Sequence, residues 1–108
     1  MVMGEVRTHQ ARVPAGVVEH SELRNFLDSR GRLRAWPAKR KLQLVALEMM
    51  AAKFEDDVVY TEREVNGLLN LHHTFQDPAR LRRELYEMGY LGRTRNGSQY
   101  WKQERPQA

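Results

Sequence analysis

The chain has 108 residues, of which 41% are hydrophobic and 30% charged, with a formal net charge of +4 and no cysteine. That length suits one domain with a modest core. The lack of cysteine excludes a disulfide framework and thiolate chemistry and fits a reducing, cytoplasmic setting. No apolar run approaches the ~18 residues of a membrane helix, so no membrane association is expected. The opening residues lack the apolar core of a signal peptide.

Residues 1–20 carry no sustained period, and Pro14 and Gly16 interrupt them, so they read as a flexible tail ahead of a domain at 21–103. Ser21 is placed to cap a short helix, Glu22–Asp28, with Leu23, Phe26 and Leu27 on one face. Arg30-Gly31 ends it. Arg32-Leu33-Arg34 reads as a brief extended segment with Leu33 inward. Pro37 pushes Trp36 out of the helical region and sets the start of the next helix. That helix, Ala38–Phe54, is the longest. Leu42, Val45, Met49 and Ala52 form one stripe, and Leu44, Leu47, Ala51 and Phe54 form its neighbour. So wide an apolar arc predicts burial on two sides. Asp56-Asp57 makes a turn, and Val58-Val59-Tyr60 is a short strand of β-formers.

Thr61 and Glu64 have capping-box spacing, in which hydroxyl and carboxylate each take an orphan amide at a helix start. Val65, Leu68 and Leu69 share the inward face of that helix. His72-His73 follows it. Adjacent histidines cannot both face one site from a helix, and no further ligands are near, so no metal is expected. Asp77-Pro78 opens a second short helix, Asp77–Met88: Asp accepts from free amides, and Pro at the first position loses no hydrogen bond. Leu81, Leu85 and Met88 are its inward stripe, and Gly89 stops it. Tyr90–Arg95 and Ser98–Lys102 then flank Asn96-Gly97, a strong hairpin signal through a type I′ turn. A two-residue turn sets Arg93 opposite Tyr100 and Gly92 opposite Trp101. Trp101 would then cover the space Gly92 leaves, and Arg93 would lie over Tyr100. The fold class expected is α+β, mostly α: a winged helix-turn-helix with a short N-terminal helix and a C-terminal β-hairpin wing.

Charge is segregated along the chain. Six basic residues and no acid lie between Arg30 and Lys41, and six basic and two acidic residues lie between Arg80 and Lys102. Such segregation predicts a basic face. On a helical wheel Arg83 points away from the Leu81/Leu85/Met88 stripe, with Ala79, Tyr86 and Glu87 beside it and Arg80 and Arg82 on either flank. In a winged helix the second helix of the pair enters the major groove, where the arginine fork matches guanine. Arg80, Arg82, Arg83 and Tyr86 are therefore candidate groove contacts. Arg93 and Arg95 on the wing, and Arg32, Arg34, Lys39, Arg40 and Lys41, are candidate phosphate contacts. Lys39, Arg40 and Lys41 also crowd a helix start, where the dipole disfavours cations by a few tenths of a kcal/mol. Arg80–Glu84 and Arg83–Glu87 have the spacing of ordinary i,i+4 surface pairs, and both glutamates would repel phosphate.

The blocks Leu23-Arg-Asn-Phe-Leu-Asp, Gly31-Arg-Leu-Arg-Ala-Trp-Pro-Ala-Lys-Arg-Lys, Tyr60-Thr-Glu-Arg-Glu-Val-Asn, Leu81-Arg-Arg-Glu-Leu and Gly89-Tyr-Leu-Gly-Arg-Thr-Arg-Asn-Gly-Ser-Gln-Tyr-Trp resemble an uncharacterised bacterial family. It is one of the domains of unknown function found alone or fused behind helix-turn-helix regulators, ArsR-type repressors among them. The likeness spans roughly Leu23–Lys102. It implies a winged-helix-like regulator or regulator accessory domain.

The function expected is a small DNA-binding transcriptional regulator, acting on double-stranded DNA as a homodimer on a pseudo-palindrome. The alternative is a protein-interaction or homo-oligomerisation module of a regulatory complex, without direct DNA contact. No nucleophile–base pair, Gly-rich phosphate loop or metal set stands out, so neither enzymatic activity nor a cofactor is expected.

Overall fold

The computed structural model describes residues 22–103; the expected tail, 1–20, lies outside them. The fold is α+β, with three α-helices and a three-stranded antiparallel sheet in a winged-helix-like layout. In chain order these are α1 (Arg40–Ala51), β1 (Val59–Tyr60), α2 (Glu62–Asn70), α3 (Pro78–Glu87), β2 (Leu91–Arg93) and β3 (Tyr100–Lys102).

The expected helix Glu22–Asp28 is shorter, with 3-10 geometry over Arg24–Phe26 and an extended Leu27. The Leu23, Phe26, Leu27 spacing fits a single turn as well as a long helix. Here the chain reverses at once. Leu27 bridges Leu33, the Arg34 amide donates to the Phe26 carbonyl at 2.8 Å, and Gly31 takes φ 79° in the bend. The Asp28 Oδ1 accepts from the amides of Arg30 (2.9 Å) and Arg32 (2.8 Å), which pins the loop. Leu33 points inward as expected and is fully buried. Its amide donates to His72 and its carbonyl accepts from Thr74, both at 2.9 Å, joining this segment to the chain after α2.

Helix α1 is two residues shorter at its start and three shorter at its end than its apolar pattern suggests. Leu42, Val45, Ala46, Leu47, Met50 and Ala51 are buried along it, while Ala52 is exposed. Phe54, just beyond, meets Tyr60 edge-on at 5.2 Å. The Glu55 amide donates to the Tyr60 hydroxyl at 2.8 Å, which ties the end of α1 to β1. Val65 and Leu69 of α2, Leu81 and Leu85 of α3, Leu91 and Tyr100 complete one core. Each such aliphatic side chain contributes roughly 1.5–3 kcal/mol on burial.

Both short helices start as their sequences dictate. Thr61 Oγ1 accepts from the Glu64 amide at 3.1 Å, and the Glu64 carboxylate accepts from the Thr61 amide at 2.8 Å. Asp77 Oδ1 accepts from the Arg80 amide at 3.2 Å, with Pro78 at the first helical position. Gly89 follows α3 with φ 86°.

The sheet order is β1-β3-β2. Gly92 pairs with Trp101 and Arg93 with Tyr100, the expected register. The turn differs from expectation. Gly97 has φ 72°, but Asn96 does not share a positive φ, so a type I′ turn is not formed. Side chains explain this. Thr94 Oγ1 accepts from the Ser98 and Gln99 amides, each at 3.1 Å, and Asn96 Oδ1 also accepts from Ser98. These bonds favour a wider loop, while Thr94 N–H to the Gln99 carbonyl (3.0 Å) keeps the ladder in step.

Candidate nucleic-acid interface

Helix α3 buries Leu81 and Leu85 and leaves Ala79, Arg80, Arg83, Tyr86 and Glu87 exposed on the opposite side. Two neighbours flank that exposed arc. On one flank lies the start of α1. Arg40 Nη1 donates to Glu84 Oε1 at 3.2 Å and Nη2 to Met88 Sδ at 2.8 Å. Just upstream, Trp36 lies under Arg80, with the guanidinium carbon 5.6 Å from the ring centroid. On the other flank lies the wing. The Arg93 guanidinium sits 4.5 Å from the Tyr86 ring centroid, a cation–π distance. Arg93 therefore stacks on Tyr86 and not on Tyr100; Arg82 takes the place over Tyr100, at 6.0 Å.

The expected contact residues thus divide. Arg83 and Arg95 are exposed, with no ion pair or hydrogen bond from either side chain among the described residues. Arg80 is exposed on the arc, and Lys39 is exposed as the N-cap residue of α1. Lys41 is exposed on the first turn. By contrast, Arg82 turns toward α2. It donates to Asn66 Oδ1 and lies 3.7 Å from Glu62, with its side chain only 17% exposed. Arg32 Nε donates to Asp28 Oδ2 at 2.8 Å. The Arg32 amide, joined by its guanidinium, holds the Asp28 carboxyl below its ordinary pKa. Arg34 donates to the Asn25 carbonyl at 2.7 Å. Arg40 is held by Gln43, Glu84 and Met88. These four arginines tie neighbouring segments of the chain together.

The Arg40 contact also settles the fate of Glu84. It pairs across to α1 and not to Arg80 within its own helix. That pairing cancels much of the negative charge at the edge of the arc. Glu87 remains exposed with no ion pair among the described residues. At the start of α1 no side chain caps the helix and no acid occupies the first turn. Lys39, Arg40 and Lys41 therefore meet the positive end of the dipole without local compensation.

The histidine pair has a role that spacing alone did not reveal. His73 is 3% exposed. Its Nε2 accepts from the Asp77 amide at 3.0 Å, so the ring proton belongs on Nδ1, which donates to the Leu69 carbonyl at 2.8 Å. One imidazole thus joins the end of α2 to the cap of α3 and fixes the angle between them. The available signal was its place in the link between two capped helices. His72 is half-buried, and burial, with the nearby Lys53 charge second, holds its pKa below the ordinary value.

The class defined by this architecture is a small α+β domain of winged-helix-like layout, with an arginine-bearing helix between a wing and a basic helix start. The chain belongs to the family described as uncharacterized protein conserved in bacteria (DUF2087), whose model matches residues 32–102, well over half of its length. No curated protein and no solved structure matches the chain. Among the described residues no helix is long and apolar enough to cross a membrane.

Proposed function

We propose that this chain is a small transcriptional regulator, or the accessory domain of one, that binds double-stranded DNA through α3 and its two flanks. Arg80, Arg83 and Tyr86 face the major groove, where an arginine can donate to both guanine O6 and N7. Arg95 at the wing tip, and Lys39 and Lys41 at the start of α1, contact phosphates on either side. Arg93 braces the wing against Tyr86. The observation that carries this reading is the flanking of one exposed arc by two basic segments, through Arg40–Glu84 and Arg93–Tyr86. The resemblance to domains found alone or behind helix-turn-helix regulators supports the same reading.

Anisotropy of a labelled duplex, followed across a salt series, tests it. The expected log–log slope is about −0.9 for each phosphate neutralised. Arg83→Ala should weaken binding by about 1–3 kcal/mol, and Lys39→Ala should flatten the slope by about one phosphate. Unchanged binding in an Arg80, Arg83, Arg95 triple alanine variant would refute the assignment.

Glu87, exposed within the arc, favours a second reading, in which α3 meets a protein of a regulatory complex. Under that reading duplex binding is absent even at low salt, and Glu87→Lys abolishes partner capture.

A further inference from the structure

Helix α2 carries a second surface with no task in the nucleic-acid reading. Its Glu62 and Asn66 side meets Arg82 of α3. The opposite side carries Glu64, Gly67, Leu68 and Leu71, which together with β1 line a groove of about 460 Å³. Leu71 is 66% exposed and Val59 on β1 is 58% exposed. β1 lies at the outer edge of the sheet, where an unpaired strand edge invites another chain.

We propose that this face docks a second copy of the same chain about a two-fold axis. Three observations select that occupant. First, the rim carries both signs, with Lys53 against Glu55 and Glu64. An isologous contact sets each patch against its own copy, so a mixed rim pairs Lys53 of one protomer with a carboxylate of its partner. A partner of one sign would leave half of that rim unmatched. Second, Gly67 lies in the middle of α2, where a glycine costs about 1 kcal/mol relative to alanine. A Cβ there would meet nothing within 4 Å, so nothing in its own chain requires the glycine. A missing side chain at an exposed helix centre allows the close approach of another backbone. Third, exposed Leu71 and Val59 sit on either side of the groove, an apolar centre inside a charged rim, as in stable interfaces. Because the patch lies across α2 from α3, docking leaves the α3 arc of both copies uncovered.

Sedimentation velocity of the full chain without DNA, from low micromolar to submillimolar concentration, tests the proposal. The wild-type chain should form dimers. Leu71→Glu and Val59→Lys should each raise the dimer dissociation constant by about tenfold or more. Gly67→Leu guards against misfolding, since its side chain enters open space within one chain; it should keep the circular dichroism spectrum and still dissociate the dimer. Arg83→Glu, on the other face, should leave the dimer intact. A chain that stays monomeric throughout, or a dimer that survives Leu71→Glu and Gly67→Leu, overturns the proposal. Since no nucleic acid is present, either result is independent of DNA binding.

Discussion

Arg82 and Arg83 are neighbours in sequence and belong to different parts of the molecule. Arg82 is drawn to Asn66 and Glu62 and is largely covered; Arg83 stands clear in the exposed arc. Arg82→Ala should therefore cost about 1 kcal/mol of stability through the lost charged hydrogen bond, whereas Arg83→Ala should stay within about 0.5 kcal/mol of wild type. Urea denaturation of the two variants side by side checks this. His73→Ala should cost more, about 2–3 kcal/mol, because it leaves the Asp77 amide and the Leu69 carbonyl without their partner in a buried place. His72 adds a pH dependence. Its pKa is depressed in the folded chain, so as pH falls below about 6.5 the unfolded chain takes up the proton first. Its contribution is whole above that pH and is lost as pH drops through the lower, folded value. His72→Asn should show a smaller loss of stability between pH 8 and pH 5 than wild type in the same urea titrations.

At the scale of elements, the caps and the strand ladder were legible in the sequence. Thr61 with Glu64, and Asp77 with Pro78, are local signals: the groups that satisfy each helix start lie within four residues of it. The register of the hairpin was legible for the same reason, down to Trp101 against Gly92. A Cβ at Gly92 would overlap the Trp101 indole and the Gln103 carboxamide. Gly92→Ala should thus destabilise the fold by about 1–3 kcal/mol, read as a lowered Tm. What escaped the sequence depends on neighbours distant along the chain. A helical wheel sets Arg82 on a flank but does not show that α2 lies there with Asn66 and Glu62. The i,i+4 spacing links Glu84 to Arg80, while packing brings Arg40 to it instead. The first helix was over-read because Leu23, Phe26 and Leu27 suit one turn as well as two, and the Leu27–Leu33 bridge ends it early. The hairpin turn was misjudged because Thr94 and Asn96 bond the loop amides with their side chains.

Across the whole molecule, the basic residues fall into two groups by what they touch. Arg32, Arg34, Arg40 and Arg82 bind acceptors within the chain, so their charge holds the fold together. Arg83, Arg95 and Lys39 face solvent without partners among the described residues, and Arg80 shares the arc with Arg83. Binding along this surface requires α3, the wing and the start of α1 to meet one ligand together, not singly. Chemical-shift mapping of the amide-labelled chain with a short duplex at low salt measures that most directly. The amides of Arg80, Arg83, Arg95, Lys39 and Lys41 should move along one titration curve, while those of Val59, Gly67 and Leu71 stay in place. Shifts confined to a single one of these segments, or centred on the α2 and β1 face, would contradict the account.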